Sequence, residues 1–325
     1  MLTVVYVLVS TEKDYFYEQF LMSVTSLHYQ MKEVNVVLLV EQDTNKYIQE
    51  KHSEIKELVD QIIIQKLPAE CSMAVRSRML KTSMRNLIDG DFLYIDCDTV
   101  ICSPLDTIQS LQYSSAVLDN HYKVTEQIVE FGAVIKRAEQ FGFSVGYNGN
   151  HFNSGVLWCK DDDLTREFFG RWNEIWNETC SQGVMIDQLS FNEVNNQMNG
   201  AIAEMEGEWN CQLRYGLPYL KDAKIIHYFA SNLGSKNQEL KFACEFTSHE
   251  LWKKIRNHGR ITDEIYNMLC EPKRAFKNAI IVEIKTENYY IINSNIVAIV
   301  RAFYRRWPKT FWKIDSILGK MRRKK

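Results

Sequence analysis

Short apolar runs alternate with amphipathic stretches along the first third of the chain. Runs of β-branched and aliphatic residues predict buried strands at Thr3–Ser10, Val34–Val40, Ile62–Gln65 and Asp91–Ile95. Apolar residues at helical spacing predict helices between these strands, at residues 14–29, 44–58 and 73–88. Strands and helices that alternate in this way are typical of an open, mostly parallel sheet flanked by helices.

The pattern continues with longer interruptions over the rest of the chain. Further strands are predicted at Ser115–Asp119, Phe152–Trp158 and Lys224–Phe229. A Gly-rich loop is predicted at Gly142–Asn150 and one helix over Leu251–Leu269, whereas residues 279–293 fit a strand and a helix equally well. We therefore expect an α/β domain at 1–245, a mostly helical region at 246–300 and a basic tail at 301–325.

The tail differs from the rest of the chain in charge. It contains ten of the 39 basic residues and one of the 41 acidic residues, so the preceding 300 residues have a net charge of −11. Two apolar stripes at helical spacing, separated by Pro308, run along this region: Ile299, Phe303 and Trp307, then Phe311, Ile314, Leu318 and Met321. Basic amphipathic helices bind anionic lipid surfaces, and the alternative is a helix packed on its own acidic body.

Composition excludes several classes of protein. Nearly half of the residues are apolar and Gly and Pro are scarce, which excludes disordered and fibrous chains. No apolar run approaches the roughly 20 residues that span a bilayer. The eight cysteines form no CxxC pair, which is typical of reduced thiols in a cytoplasmic protein. Nucleic acid is not an expected partner, because the basic charge is confined to the tail. We expect a cytoplasmic protein, peripheral on the inner face of the membrane.

Two aspartates stand at the end of the fourth predicted strand. Asp96 and Asp98 follow an apolar run, and open α/β sheets bind ligands at the carboxyl ends of their strands. In extended backbone, residues i and i+2 project to the same face, so the two carboxylates should lie side by side. Mg²⁺ and Mn²⁺ prefer carboxylate and phosphate oxygens. The pair therefore predicts a divalent ion that neutralises a diphosphate, with a solvated turn as the alternative.

Other polar residues lie at the ends of predicted elements or on the helix that precedes the aspartate pair. They are Asn153, Ser154 and Gly155 at a strand start, Asp187 and Gln188 at a helix start, His227 at a strand end, and Arg76, Arg78 and Lys81 on that helix. Singly, each is as well explained by a helix cap, a structural histidine or a solvated helix face. Their joint order along one α/β chain favours a common site.

That order resembles the retaining glycosyltransferases of family 8, which include glycogenin-like enzymes and bacterial lipopolysaccharide galactosyl- and glucosyltransferases. The resemblance covers about residues 1–230 and includes the segment Thr11–Tyr15 after the first strand. It implies the GT-A fold (a nucleotide-diphospho-sugar transferase fold with one mostly parallel open sheet), here followed by a helical, basic extension. It also implies a UDP-sugar donor and Mn²⁺, with Mg²⁺ as the alternative ion.

The resemblance assigns a role to each candidate residue. Asp96, Asp98 and His227 would be metal ligands, and Asn153, Asp187 and Gln188 would surround the reacting sugar. The donor would contact Thr11 and Tyr15 near the uracil, Arg78 near the sugar, and Lys81, Asp96 and Ser154. The chain departs from the family after His227, where Ala230 and Leu233 replace a Gly and a Lys that grips the phosphates. Lys236 is the basic residue available nearby.

We therefore expect a Mn²⁺-dependent, retaining hexosyltransferase of bacterial-type surface polysaccharide or lipopolysaccharide synthesis. It would move glucose or galactose from UDP to a saccharide or lipid-linked acceptor. Asp187 is the acidic group that the motifs offer at the reacting sugar, which favours same-face attack assisted by Gln188 over a covalent intermediate. Two alternatives stay open: an inverting GT-A transferase or sugar nucleotidyltransferase, and a non-catalytic sugar-nucleotide-binding or membrane scaffold protein.

Overall fold

The computed structural model describes residues 1–126, 131–213, 215–229, 244–275 and 294–314. The chain divides into two units, Met1–Ile280 and Ile281–Lys325. The three domain bounds expected from the sequence stay a prediction. Several residues of interest lie outside the described residues: Ala230, Leu233 and Lys236 after the candidate metal histidine, residues 279–293, and Leu318 and Met321 of the tail.

The described residues contain ten strands. They are β1 (Leu2–Leu8), β2 (Val34–Glu41), β3 (Gln61–Gln65), β4 (Phe92–Ile95), β5 (Thr99–Ile101), β6 (Ser115–Leu118), β7 (Phe152–Cys159), β8 (Ala203–Glu204), β9 (Cys211–Gln212) and β10 (Ile225–His227). Seven of them form the central sheet, in the order β3-β2-β1-β4-β7-β6-β8, and a small second sheet has the order β5-β10-β9.

The central sheet is mostly parallel, as predicted. β3, β2, β1 and β4 run in one direction, β7 is antiparallel to both of its neighbours, and β8 is parallel to β6. β1 and β2 are nearly continuous apolar runs and are buried along almost their whole length, as strands covered on both faces are. The carboxyl ends of β1 and β4 therefore lie next to each other at one edge of the sheet.

Ten α-helices lie wholly within the described residues. They are α1 (Phe16–Gln30), α2 (Gln42–Lys51), α3 (Met73–Ser83), α4 (Gly132–Phe141), α5 (Asp163–Ser181), α6 (Asp187–Gln197), α7 (Leu217–Leu220), α8 (His249–His258), α9 (Asp263–Cys270) and α10 (Asn295–Arg306). Aromatic rings in the buried core join α5 to α6. The ring centroids of Phe168 and Trp172 each lie 4.9 Å from that of Phe191. Because α5 also packs on α3, the core holds α3 and α6 close together.

Three predicted helices are shorter than expected. The helix predicted at 73–88 ends at Ser83, and a 3-10 turn follows at Met84–Asn86. The helix predicted at 44–58 ends at Lys51, and a separate 3-10 turn follows at Ser53–Glu57. The single helix predicted over Leu251–Leu269 is wrong, because the chain forms α8 and α9 there. Gly259 ends α8 in the left-handed conformation, with φ 65°, which glycine adopts without strain.

The second unit is described over residues 294–314. α10 begins at a serine cap, where Ser294 Oγ accepts a hydrogen bond from Val297 N, and residues 308–314 are again helical. The break before Pro308 agrees with the sequence prediction. Tyr304 packs edge-on against Phe311 across this break, with ring centroids 5.1 Å apart. Within the described ranges, no helix is both long and apolar enough to cross a bilayer.

Candidate functional site

Strand register brings a histidine to the aspartate pair. β10 is antiparallel to β5 with His227 opposite Thr99, the residue after Asp98. His227 Nε2 lies 3.1 Å from Asp98 Oδ1 and 3.9 Å from Asp96 Oδ2. One ligand atom from each of the three residues lies within 4.8 Å of the others. Adjacent ligands of an octahedral ion, each about 2.1 Å from the metal, are about 3.0 Å apart. The His227–Asp98 distance suits such an ion, and Asp96 would move closer on binding it.

A glycine provides the space beside this cluster. β7 pairs with β4, and Asp96 N donates a hydrogen bond to Gly155 O over 2.8 Å. A Cβ atom on Gly155 would lie 2.3 Å from His227 Cε1 and 2.7 Å from Asp96 Oδ2. Any larger residue at this position would therefore displace two of the three candidate ligands.

The backbone conformation that brings the two carboxylates together differs from the predicted one. β4 ends at Ile95, and the backbone bends at Cys97 and Asp98 where an extended continuation was expected. The Cys97 thiol donates to Val7 O over 3.4 Å. Burial, followed by the charges of Asp96 and Asp98, raises the pKa of Cys97 well above its usual value. The thiol is therefore protonated where it donates to Val7 O.

An ion-pair network lies next to the metal cluster and is formed by α3 and α6. The buried Lys81 Nζ lies 3.5 Å from Asp96 Oδ1 and 3.2 Å from Asp187 Oδ2. Arg78 Nε donates to Asp187 Oδ1 over 2.9 Å, and Ser154 Oγ donates to Asp187 Oδ2 over 3.0 Å. Burial opposes ionisation of Asp187, but Lys81 and Arg78 outweigh it and hold the pKa of this carboxyl well below its usual range. Asp187 is therefore a carboxylate at all ordinary pH values.

Neutral amides form the other side of the site. Asn153 Nδ2 lies 3.1 Å from Asp119 Oδ1 and 3.2 Å from Gln188 Oε1. Asn153 Oδ1 accepts from Asn210 Nδ2 over 2.9 Å. Asp119 thus adds a carboxylate to the side where the motifs offered only Asp187. Its position at the end of a predicted strand was a usable indication, whereas no sequence pattern marks Asn210.

Thr11 and Tyr15 have contacts of a different kind. Thr11 follows β1, the neighbour of β4, and its hydroxyl donates to Asp14 Oδ2 over 2.9 Å. The Tyr15 ring packs on α8, with its centroid 5.8 Å from that of Trp252 and 4.2 Å from the guanidinium carbon of Arg256. Neither contact involves the metal cluster, so their role at the uracil stays a prediction.

Neither the family models nor the curated protein sequences give a match to this chain. Solved structures do match. The galactosyltransferase LgtC, in complex with donor and acceptor sugar analogues, superposes with a TM-score of 0.51 at 13% identity, over 81% of this chain and 98% of LgtC. The chain has the GT-A fold. This confirms the fold expected from the family resemblance.

Two further glycosyltransferases match less well. The bifunctional enzyme WbbM has a TM-score of 0.48 at 16% identity, over 70% of this chain. GlyE from Streptococcus pneumoniae TIGR4 has a TM-score of 0.48 at 17% identity, over 79% of this chain. The matched region spans 45% of the length of WbbM and 63% of that of GlyE.

Proposed function

We propose that this chain is a retaining glycosyltransferase of the family 8 type. It moves glucose or galactose from UDP to a saccharide or lipid-linked acceptor, in the synthesis of a bacterial-type surface polysaccharide or lipopolysaccharide. One observation carries the proposal: Lys81 joins the cluster of Asp96, Asp98 and His227 to Asp187 within one partly buried network. This network suits a substrate in which a diphosphate and a sugar are neighbours.

Asp96, Asp98 and His227 would hold the divalent ion on the diphosphate side. Carboxylates with one imidazole are a donor set that Mn²⁺ accepts, with Mg²⁺ as the alternative. The bound ion supplies a Lewis acid that stabilises the negative charge of the departing diphosphate. Lys81 adds a positive charge beside Asp96, so protein charge is already in place where negative charge develops.

The hydrogen bonds of Asp187 favour same-face attack over a covalent intermediate. Both of its oxygens are occupied, Oδ1 by Arg78 and Oδ2 by Lys81 and Ser154, which makes it a poor nucleophile. In same-face attack, the acceptor hydroxyl bonds to the anomeric carbon as the bond to UDP breaks. The departing phosphate oxygen takes the hydroxyl proton, and Gln188 stabilises the oxocarbenium-like sugar as a neutral polar group.

An inverting transferase is the second candidate function. Asp119 Oδ1 lies 3.1 Å from Asn153 Nδ2, which puts a carboxylate on the reacting side that would serve as the general base. The configuration of the product decides between the two: retention requires the α-linked product from an α-linked donor, and inversion gives the β-linked one.

The test of the proposal is UDP release by the purified chain from a panel of UDP-sugars, with Mn²⁺ and with EDTA. Metal-dependent release from one UDP-hexose, with an α-linked product, supports a retaining hexosyltransferase and identifies its donor. Absence of turnover with every UDP-sugar and acceptor tried would refute the enzymatic proposal and favour a non-catalytic sugar-nucleotide-binding or membrane scaffold protein.

The tail supports a membrane-bound acceptor. In the described part of the second unit, which ends in the tail, Ile296, Ile299 and Trp312 are 75%, 70% and 58% exposed, and ten basic residues lie in 301–325. We infer that this segment binds the anionic cytoplasmic face of a membrane, where lipid-linked glycans are extended.

Deletion of residues 301–325 should release the protein from vesicles that contain anionic lipid, because it removes both the charge and part of the apolar surface. Each lost basic residue near such a surface contributes about 1 kcal/mol to binding. Vesicle co-sedimentation measures this loss, and metal-dependent UDP release should be retained as the control. Equal vesicle binding by the full and shortened chains would contradict the anchoring role.

A further inference from the structure

His151 is a buried imidazole that no sequence motif marks. It is 1% exposed and stands two residues before Asn153. Its Nδ1 lies 2.6 Å from Val145 O, and its Nε2 lies 3.3 Å from Gln188 Nε2. A carbonyl oxygen only accepts hydrogen bonds, so Nδ1 carries the ring proton and Nε2 accepts from the Gln188 amide. Burial lowers the pKa of His151 against the opposing charge of Asp119, which agrees with a neutral ring.

The Gln188 amide belongs to a series of hydrogen bonds in which each group donates to the next, in order from His227 to His151. Gln188 Oε1 accepts from Asn153 Nδ2 over 3.2 Å, and Asn153 Oδ1 accepts from Asn210 Nδ2 over 2.9 Å. Asn210 Oδ1 in turn lies 3.1 Å from His227 Nδ1. With the proton on Nδ1, His227 Nε2 directs its lone pair toward the aspartate pair.

Fixed groups set the direction of this chain at two points. The Val145 carbonyl fixes the proton on His151, and the peptide N–H of Gly155 donates to Asn153 Oδ1 over 3.0 Å. If the Gln188 amide turned over, its NH₂ group would face the NH₂ group of Asn153. Two donors would then oppose each other, and the carbonyl of Gln188 would face His151 Nε2 without a proton between them.

We propose that His151 is a positioning residue that fixes the orientation of the Gln188 amide and, through Asn153 and Asn210, couples the reacting side of the site to the metal histidine His227. The inference rests on the proposed function, since it assigns a purpose to the same site. His151 itself does not touch the sugar. It acts through Gln188, the group that faces the reacting carbon in the proposed mechanism.

Two variants test the kinetic consequence. His151→Phe keeps an aromatic ring, of somewhat larger volume, and removes both nitrogen contacts, whereas His151→Gln restores a group that donates and accepts. We expect kcat to fall about 10-fold to 100-fold in His151→Phe, with KM for the UDP-sugar within about twofold, as for other supporting hydrogen bonds. His151→Gln should recover most of the loss. A rise in KM with unchanged kcat would overturn the proposal.

The double variant isolates the coupling to Gln188. In a Gln188→Ala background, His151→Phe should have little further effect on kcat, because the chain of hydrogen bonds is already broken. Two losses that multiply in the double variant would show that His151 acts independently of Gln188, which contradicts the proposal.

A readout without turnover separates this inference from the proposed function. The side-chain amide proton signals of Gln188, assigned by their loss in Gln188→Ala, should shift and exchange faster with solvent in His151→Phe. His28→Phe is the matched control: His28 lies in the last turn of α1, and its Nε2 lies 2.9 Å from Leu58 O, outside the series of hydrogen bonds that contains Gln188. If the wild type turns over no UDP-sugar, the proposed function fails. Unmoved Gln188 signals in His151→Phe would overturn the positioning role whether or not the chain is an enzyme.

Discussion

The two sides of the candidate site differ in the side chains that dominate them. On the diphosphate side the side chains of Asp96, Asp98 and Lys81 are charged. Lys81 Nζ lies 3.5 Å from Asp96 Oδ1 and offsets its charge, and the candidate ion would offset the charges of both aspartates. On the reacting side, Asn153 and Gln188 are neutral amides whose orientation is fixed by directional hydrogen bonds. In the proposed mechanism the site separates two tasks, since charge stabilises a leaving diphosphate and oriented amides hold a sugar.

The difference follows from the sheet. The diphosphate side comes from β4 and α3, where the chain leaves the parallel half of the sheet. The reacting side comes from β7, which is antiparallel to both β4 and β6 and so brings the start of β7 to the end of β4. One sheet therefore presents two chemically distinct sides at a single edge.

The largest effect is expected from Asp98→Asn on the charged side. Loss of one ligand charge should weaken the metal site, and the Lewis-acid contribution of a bound ion is several kcal/mol. We expect metal-dependent UDP release to fall by about 1000-fold or more, since each 1.4 kcal/mol changes a rate tenfold. Glu126→Gln, on a surface turn outside the site, is the control. A fall of less than tenfold in Asp98→Asn would contradict the metal role.

A smaller effect, on stability, is expected from Lys81→Met. Lys81 and Asp187 are both buried, so removing the lysine leaves a carboxylate with only Arg78 as an ionic partner. We expect a loss of about 3 kcal/mol in the free energy of unfolding, at the low end for a broken buried pair. Urea unfolding measures this, and Lys254→Met is the matched control, because its partner Glu264 is 78% exposed and such pairs contribute less than about 1 kcal/mol.

The loss of stability in Lys81→Met should depend on pH, in a direction that follows from the lowered pKa of Asp187. The lowered pKa of Asp187 means that its ionised form stabilises the native chain above the unfolded pKa of about 3.9, and that this contribution is lost as the pH falls toward the folded value. Removal of Lys81 raises the folded pKa. The deficit of Lys81→Met relative to the wild type should therefore be largest near pH 7 and shrink below about pH 4. A deficit that is independent of pH would mean that the loss comes from packing.

The smallest effect is expected from Gly155→Ala, which adds one methyl group at the junction of the two sides. The new Cβ would collide with His227 and Asp96, so Mn²⁺ affinity should fall about 10-fold to 100-fold, as after loss of a group that orients metal ligands. Gly170→Ala is the matched control, since its Cβ would meet nothing within 4 Å and alanine favours a helix. Equal Mn²⁺ affinity in the two variants would show that residue 155 does not border the ion.

The charged side was largely predictable from the sequence, because its residues stand at strand ends or on the helix just before them. Asp96 and Asp98 follow an apolar run, and His227 ends a short one. The backbone bend at Cys97 was not predictable, because a run of four apolar residues gives no sign of where the strand stops. The prediction that the two carboxylates lie close together was correct, but a backbone bend brings them together where an extended strand was expected.

The reacting side was less predictable because it depends on distant pairings. Asn210 reaches Asn153 because β9 pairs with β10, two strands of two and three residues that carry almost no periodicity. His151 was missed because a buried histidine at a strand start looks like any structural residue until its two nitrogen partners are known. In the C-terminal region, apolar spacing continued across Gly259, so one long helix was predicted where two exist.

Mn²⁺ binding in the presence and absence of UDP, followed by electron paramagnetic resonance, tests most directly that Asp96, Asp98 and His227 form a metal–diphosphate site. The account predicts a single Mn²⁺ per chain, bound more tightly when UDP is present, and loss of both effects in Asp98→Asn. Equal Mn²⁺ binding by the wild type and Asp98→Asn, or binding that UDP does not change, would contradict it.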